Sequence, residues 1–186
     1  KEFKPMGMCD RKVAEGTGDI TLEPAMTQEQ CVKALLAGIE VVADLSTQGY
    51  EMIGMGEMGI GNTTPSSALV AVLLNLPANE VTGRGAGLSD EAYNKKVAVI
   101  EQAVDRYWKA TENSEIPEGP FFKIDAAVEL MSHLGGYEIA AMAGMCLGGA
   151  VFGVPIVLDG YISVAGALCA SLINSDCPSY LLASHI

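Results

Sequence analysis

Gly56-Glu57-Met58-Gly59-Ile60-Gly61-Asn62-Thr63-Thr64 lies between a short apolar run, Tyr50 to Met55, and a helical pattern from Pro65 to Leu74. The run reads as a strand, so the nine residues form a strand-to-helix junction. Backbone N–H groups at a helix start, together with the positive end of its dipole, make an anion site. A carboxylate is electrostatically unfavourable there, which makes Glu57 a chemical group rather than a scaffold group. Two glycine fingerprints overlap the stretch, and each is incomplete. Gly54, Gly56 and Gly59 spell G-x-G-x-x-G, but a dinucleotide site also needs an acid about 20 residues on, at the end of the next strand. Glu80 has that spacing, yet Leu76-Pro77-Ala78-Asn79-Glu80 reads as a turn. Gly56 to Thr63 spells a P-loop in which Asn62 replaces the lysine that would meet the β and γ phosphates. What remains is a site for a smaller anion, such as a single phosphate. The plainer alternative is a turn that only packs a helix on a strand, although such turns need few glycines.

The same alternation extends outward. Up to Pro24 the chain reads as loop with short strands. Thr27-Gln28-Glu29-Gln30 is a capping-box-like start. The helix it opens runs to about Thr47, with Val32, Leu35, Leu36, Ile39, Val42 and Leu45 as its apolar stripe, and Gly49 ends it. Thr64 is placed to cap the next helix, with Pro65 at its first position. Val81 to Leu88 is a glycine-rich loop. Ser89 caps a long helix to about Thr111, with Asp90 and Glu91 in its first turn. Glu112 to Pro120 reads as a polar linker, and Asp125 to Leu134 as a helix ended by Gly135. His133, near that helix C-terminus, reads as a dipole-capping residue rather than a catalytic one.

Ile139 to Leu158 is uncharged over 20 residues, long enough to span a bilayer. Gly144, Gly148, Gly149, Gly153 and Pro155 interrupt it, dividing it into a small-residue helix, Tyr137 to Phe152, and a buried strand, Pro155 to Leu158. A helix from Ile162 to Leu172 and a strand from Tyr180 to Ala183 complete the pattern. Strands separated by helices imply an α/β fold, a Rossmann-like parallel sheet with helices on both faces. Ligands bind such sheets beyond the strand C-termini, and Gly56–Thr64, Gly83–Leu88 and Asp159–Ser163 face that rim.

The length of 186 residues fits one α/β domain over residues 1–186. A net charge of −12 argues against nucleic acid and anionic membrane surfaces as partners. The five cysteines stand singly, with no C-x-x-C and no metal-type Cys/His spacing, so no metal is expected. Cys146 and Cys169 read as small core residues. Free cysteines fit a reducing cytoplasm.

Several motifs recur in order. GEMGIGNTT follows Gly16-Thr17-Gly18 and Pro24-Ala25-Met26-Thr27. It precedes Gly83-Arg84-Gly85-Ala86-Gly87-Leu88, the Lys95-Lys96 pair, Gly135-Gly136-Tyr137-Glu138-Ile139, Met142-Ala143-Gly144 and Pro155-Ile156-Val157-Leu158-Asp159-Gly160. Together they resemble the nicotinate-nucleotide:dimethylbenzimidazole phosphoribosyltransferase family, over nearly the whole chain from about Arg11 to Ile186. The resemblance implies a central portion of a longer enzyme that works without a cofactor. Its reaction would move a 5-phosphoribosyl group from nicotinate mononucleotide to an aromatic base, 5,6-dimethylbenzimidazole or similar. The products would be α-ribazole 5′-phosphate and nicotinate, with inversion at the anomeric carbon, in cobamide synthesis. Exposed edges of a truncated sheet favour self-association, so a homodimer is expected.

That chemistry assigns roles to residues. Gly59, Gly61, Asn62 and Thr63 offer N–H and hydroxyl donors to the phosphate. Gly83 and Gly85 allow a second backbone approach. Lys96, rather than Lys95, neutralises charge, unless both merely solvate their helix. Arg84 is a phosphate or carboxylate clamp or, equally, a loop brace, and Asp159 orients the ribose or, preferably, braces the loops. Glu57 is the catalytic carboxylate, as general base or as stabiliser of positive charge on the attacked ring, the alternative being that it hydrogen-bonds a backbone turn. Met55 and Met58 are base-pocket walls or core. The family's principal catalytic glutamate lies in a C-terminal L-G-E-G-type motif that has no counterpart here, since Gly56-Glu57 is the only G-E pair. Residues 1–186 alone are therefore expected to lack turnover. A non-catalytic paralogue or subunit that binds nucleotide or a partner is the alternative.

Overall fold

A computed structural model describes residues 9–85, 87–112 and 122–185. The elements are α1 (Gln28–Thr47), β1 (Ile53–Met55), α2 (Thr63–Leu74), α3 (Ala78–Val81), α4 (Asp90–Thr111), α5 (Phe122–Leu134), α6 (Tyr137–Phe152), β2 (Ile156–Leu158), α7 (Tyr161–Ile173), a 3-10 turn (Cys177–Tyr180) and β3 (Leu181–Ala183). The strands form one parallel sheet in the order β1-β2-β3. Ile53 stands opposite Ile156, which stands opposite Leu181, so all three C-terminal ends share one edge. The α/β fold expected from the alternation is the fold observed.

Local signals placed most helix ends. Thr27 and Gln30 exchange both hydrogen bonds of a capping box at α1, and Ser89 accepts from the Ala92 amide at α4. Gly153, at φ +70°, ends α6 in the left-handed region and separates it from β2. The long uncharged run is thereby divided as expected, and among the described residues no helix is long and apolar enough to cross a membrane.

Other boundaries moved. α2 begins at Thr63 with Asn62 at its cap, and Pro65 sits at the third helical position, not the first. Pro is tolerated there because first-turn N–H groups have no intrahelical acceptor. Tyr50 and Met52 lie outside β1 and are exposed. Ala78–Val81, read as part of a turn and a loop, forms a helical turn. α5 starts at Phe122, ahead of Asp125. Of the expected linker, Glu112 is the left-handed C-cap of α4, and 113–120 lie outside the described residues.

The stripe read for α1 needs correction. Cys31, Ala34, Leu35, Gly38 and Val42 are its buried residues, while Val32 and Leu36 are exposed. The reason lies in α6, which runs against α1 with backbones nearly touching. A Cβ on Gly38 would overlap the Ala141 carbonyl oxygen and stand 2.7 Å from Met145 N. A Cβ on Gly144 would overlap the Leu35 carbonyl oxygen, and one on Gly148 would stand 2.9 Å from Val42 Cβ. At such approach the buried face is the one with the least side chain. Cys146 and Cys169 are buried in the core as expected. Burial pushes the Cys31 and Cys146 thiols up to about 12, which makes them packing groups rather than nucleophiles.

His133 stands in the last turn of α5, and Arg106 meets the same helix end, donating to the carbonyl of His133 at 3.1 Å and to that of Ile20 at 2.8 Å. The incoming chain also covers this helix end, through Ala25 and Met26 amides bonded to the His133 and Ser132 carbonyls. Burial first, and then the Arg106 charge, lower the imidazole from its ordinary 6.5. The unfolded chain therefore takes up this proton at higher pH than the folded one. The stability given by neutral His133 is complete above about pH 6.5 and is lost as pH falls through the lowered folded value. Melting temperature should fall as pH drops below that range, and His133→Gln should flatten this part of the profile.

Candidate functional site

The loop after β1 carries the chain across the C-terminal edge of the sheet into α2. Gly61, at φ +78°, makes the turn that a side chain would strain. Just past it Asn62 is almost wholly buried, 3 % exposed. Its amide Nδ2 donates to Glu57 Oε2 at 2.6 Å and to the Met58 carbonyl at 3.2 Å. Glu57 is half-buried. No donor among the described residues reaches Asn62 Oδ1.

Beside this loop a cavity of about 410 Å³ opens between four elements. α2 contributes Thr63 and, one turn on, Ser67; α4 contributes Lys96; α7 contributes Tyr161. Glu80, Val81, Thr82, Gly83 and Gly85 form the remaining wall, around the end of α3 and the glycine loop. Lys96 Nζ donates to Thr63 Oγ1 at 2.9 Å. Burial lowers the Lys96 ammonium from its ordinary range, because a partly desolvated cation has lost water. Among the described residues no carboxylate pairs with it, the ion pairs there being those of Arg11, Lys12 and Arg84. The adjacent Lys95 is exposed. The cavity thus offers an anion a half-buried ammonium, a threonine hydroxyl at the N-terminus of α2 and the backbone of Gly83 and Gly85.

Three hydroxyls that the sequence reading did not single out hold the wall in place. Tyr161 donates to the Val81 carbonyl at 2.6 Å and lies 3.3 Å from Ser67 Oγ. Ser67 donates to the same carbonyl at 2.9 Å, and Thr82 Oγ1 to the Ala78 carbonyl at 2.6 Å. The available signal for Ser67 was its spacing: it stands four residues after Thr63 and so shares its helix face. Glu80, whose spacing matched only the acid of a dinucleotide site, lines the cavity instead.

Of the residues named from sequence, Thr63, Gly83, Gly85 and Lys96 come together at the cavity. Gly59, Gly61, Asn62 and Glu57 lie in the adjoining loop and do not line it. Arg84 pairs with Asp90 at 2.7 Å and stacks over the Tyr93 ring at 4.8 Å, a loop-bracing arrangement. Met55 is 3 % exposed and belongs to the core, whereas Met58 is 75 % exposed. The Asp159 carbonyl accepts from Ser184 Oγ at 3.0 Å, joining the loops after β2 and β3. Among the described residues no group of three His, Cys, Asp or Glu side chains could hold a metal.

A family model described as phosphoribosyltransferase (DBI_PRT) matches residues 1–186. The nicotinate-nucleotide–dimethylbenzimidazole phosphoribosyltransferase of Pelodictyon phaeoclathratiforme is 43% identical over 180 residues, 97% of this chain and 47% of that protein. The protein of the same name from Chlorobaculum tepidum is 41% identical over 175 residues, 94% of this chain and 46% of its own length. Among solved structures, CobT from Thermus thermophilus superposes with a TM-score of 0.85 at 36% identity, over all of this chain and 51% of that one. The chain spans about half the length of the curated relatives it matches.

Proposed function

From the premise that this chain belongs to the phosphoribosyltransferase family DBI_PRT, we propose that it carries the phosphate site and one catalytic carboxylate of an enzyme transferring phosphoribose from nicotinate mononucleotide to an aromatic base. The observation that carries this reading is the Lys96–Thr63 pair, 2.9 Å apart, facing a glycine-walled cavity with no carboxylate bound to the lysine among the described residues. The 5′-phosphate would take that ammonium, the Thr63 hydroxyl and the backbone of Gly83 and Gly85. Gly59 and Gly61 keep the preceding loop open for the nucleotide, and Arg84 braces the glycine loop.

In the reaction a ring nitrogen of the incoming base, 5,6-dimethylbenzimidazole or similar, attacks the anomeric carbon. The bond from that carbon to the nicotinate nitrogen breaks, and its electron pair neutralises the pyridinium. The other ring nitrogen of the base then gives its proton to Glu57. That N–H becomes acidic only as the new C–N bond forms, so the proton moves to Glu57 late in the attack. Met58, exposed beside Glu57, supplies a forgiving apolar wall for a flat ring. Met55 supports the strand from beneath.

We further read residues 1–186 as one α/β unit from the central portion of a longer chain that acts as a cytoplasmic homodimer. Support for self-association comes from β3, whose outer edge is unpaired among the described residues and bears Leu182 at 48 % exposure. The test is to incubate a polypeptide of the relatives' length with nicotinate mononucleotide and a panel of bases, identifying products by mass. α-Ribazole 5′-phosphate and nicotinate are the expected products. Lys96→Met should raise KM for nicotinate mononucleotide by about 10- to 100-fold, the worth of a hydrogen bond to a charged group. Binding without any product would overturn the transferase reading and leave a nucleotide-binding paralogue.

A further inference from the structure

We propose that Asn62 is the positioning residue for Glu57, holding one carboxylate oxygen so that the other is aimed and free. The proposal rests on the reading of Glu57 as the catalytic carboxylate. Its structural grounds are separate from that reading. Asn62 Nδ2 faces two acceptors, Glu57 Oε2 at 2.6 Å and the Met58 carbonyl at 3.2 Å. Only one orientation of the amide satisfies both, so the nitrogen must point at the carboxylate. Among the described residues nothing donates to Glu57 Oε1, which stands 3.9 Å from where a Cβ on Gly59 would be. Oε2 is therefore the held oxygen and Oε1 the one left to accept a proton.

The ordinary account of an asparagine at a helix start is capping, and it fails here. A capping Asn Oδ1 accepts from the second or third helical amide. The third position of α2 is Pro65, which has no N–H, and Asn62 makes no side-chain cap. Its backbone is αR, at φ −94° and ψ −7°, not the extended conformation usual at a cap. Among the described residues Oδ1 is buried without a partner, a cost that folded proteins avoid. An asparagine that does not cap and strands its own oxygen is explained by what its nitrogen holds. Because Thr63 of the Lys96 site follows directly in sequence, the same residue ties the aim of Glu57 to the start of α2.

The test exploits the fact that Asn, Asp and Ser are about equally good caps. In the enzyme of the relatives' length, Asn62→Ser leaves a residue suited to a helix start but too short to reach Glu57. Asn62→Asp keeps the shape and puts an acceptor against an acceptor. We expect kcat to fall about 10-fold for the serine variant and about 100-fold for the aspartate variant. KM for nicotinate mononucleotide should stay near wild type in both, while melting temperature falls, because each change leaves buried acceptors without a donor. In a Glu57→Gln background neither change should cost further turnover, as for residues acting through one another. Wild-type kcat in Asn62→Asp, or equal losses with and without Glu57, would overturn the proposal. Wild-type turnover in Glu57→Gln would instead sink the catalytic reading of Glu57. Crystal structures then decide the positioning role by itself: one Glu57 rotamer in wild type and several in Asn62→Ser support it, and a single unchanged rotamer in Asn62→Ser overturns it.

Discussion

Glu57→Gln, in a polypeptide of the relatives' length, is expected to lower kcat by about 10²- to 10⁴-fold, the usual worth of a positioned acid–base group. Its effect on nicotinate mononucleotide binding should be far smaller. The split follows from where the residue sits. Glu57 lies outside the walls of the cavity that would hold the phosphate, so the ground-state complex loses little when its charge is removed. The transition state loses the acceptor for the proton released as the new C–N bond forms, and interactions made only there appear in kcat. Glutamine preserves the shape and can still meet Asn62 through its carbonyl oxygen, so the loop should keep its fold. Steady-state kinetics, with binding measured by calorimetry, would read both quantities. Turnover within about threefold of wild type would reduce Glu57 to a residue that shapes the loop.

Gly144→Ala is expected to destabilise the protein by about 3 kcal/mol or more, above the usual 1–3 kcal/mol range for overpacking. Most overpacked side chains can shift to another rotamer. Here the added methyl would overlap the Leu35 carbonyl oxygen and stand 2.8 Å from its carbonyl carbon, both main-chain atoms in the middle of α1. Relief requires α1 and α6 to separate along their whole contact. That would also open Gly38 against Ala141 and Gly148 against Val42. Melting temperature should drop by about 6–12 °C at that cost for a chain of this size, or the variant should fail to fold. Gly54→Ala is the control, because a Cβ there meets nothing within 4 Å and its φ is not positive. A Gly144→Ala protein as stable as the control would show that the two helices are not held at backbone contact.

The candidate site was legible where its chemistry is local in sequence. Thr63 stands at a glycine-rich strand-to-helix junction, and Gly83 and Gly85 lie in a loop too rich in glycine to be a spacer. Spacing alone left Lys95 and Lys96 undivided, and the resemblance preferred Lys96. It is the half-buried one of the pair and reaches Thr63 across 33 residues of chain. Ser67 and Tyr161 were not legible. Their shared acceptor, the Val81 carbonyl, depends on α2, α3 and α7 meeting, and the Ser67–Tyr161 contact joins positions 94 apart. Arg84 could brace or clamp, and it is seen pairing with Asp90, six residues on.

By itself the sequence determined the order of the elements, the capped starts of α1 and α4, the division of the uncharged run at Gly153 and the parallel α/β class. These follow from hydrogen bonds and dihedral preferences within a few residues, which apply before any tertiary contact exists. Tertiary structure decided which face of α1 is buried, because Gly38, Gly144 and Gly148 allow backbone contact that apolar periodicity does not register. It decided that Arg106 meets the end of α5 beside His133, because a guanidinium on α4 reaches that carbonyl only once the two helices pack together. It also decided that the Asn62 amide turns from its helix to Glu57. That outcome required the loop to return Glu57 to within 2.6 Å of the amide, a meeting that only the folded chain brings about.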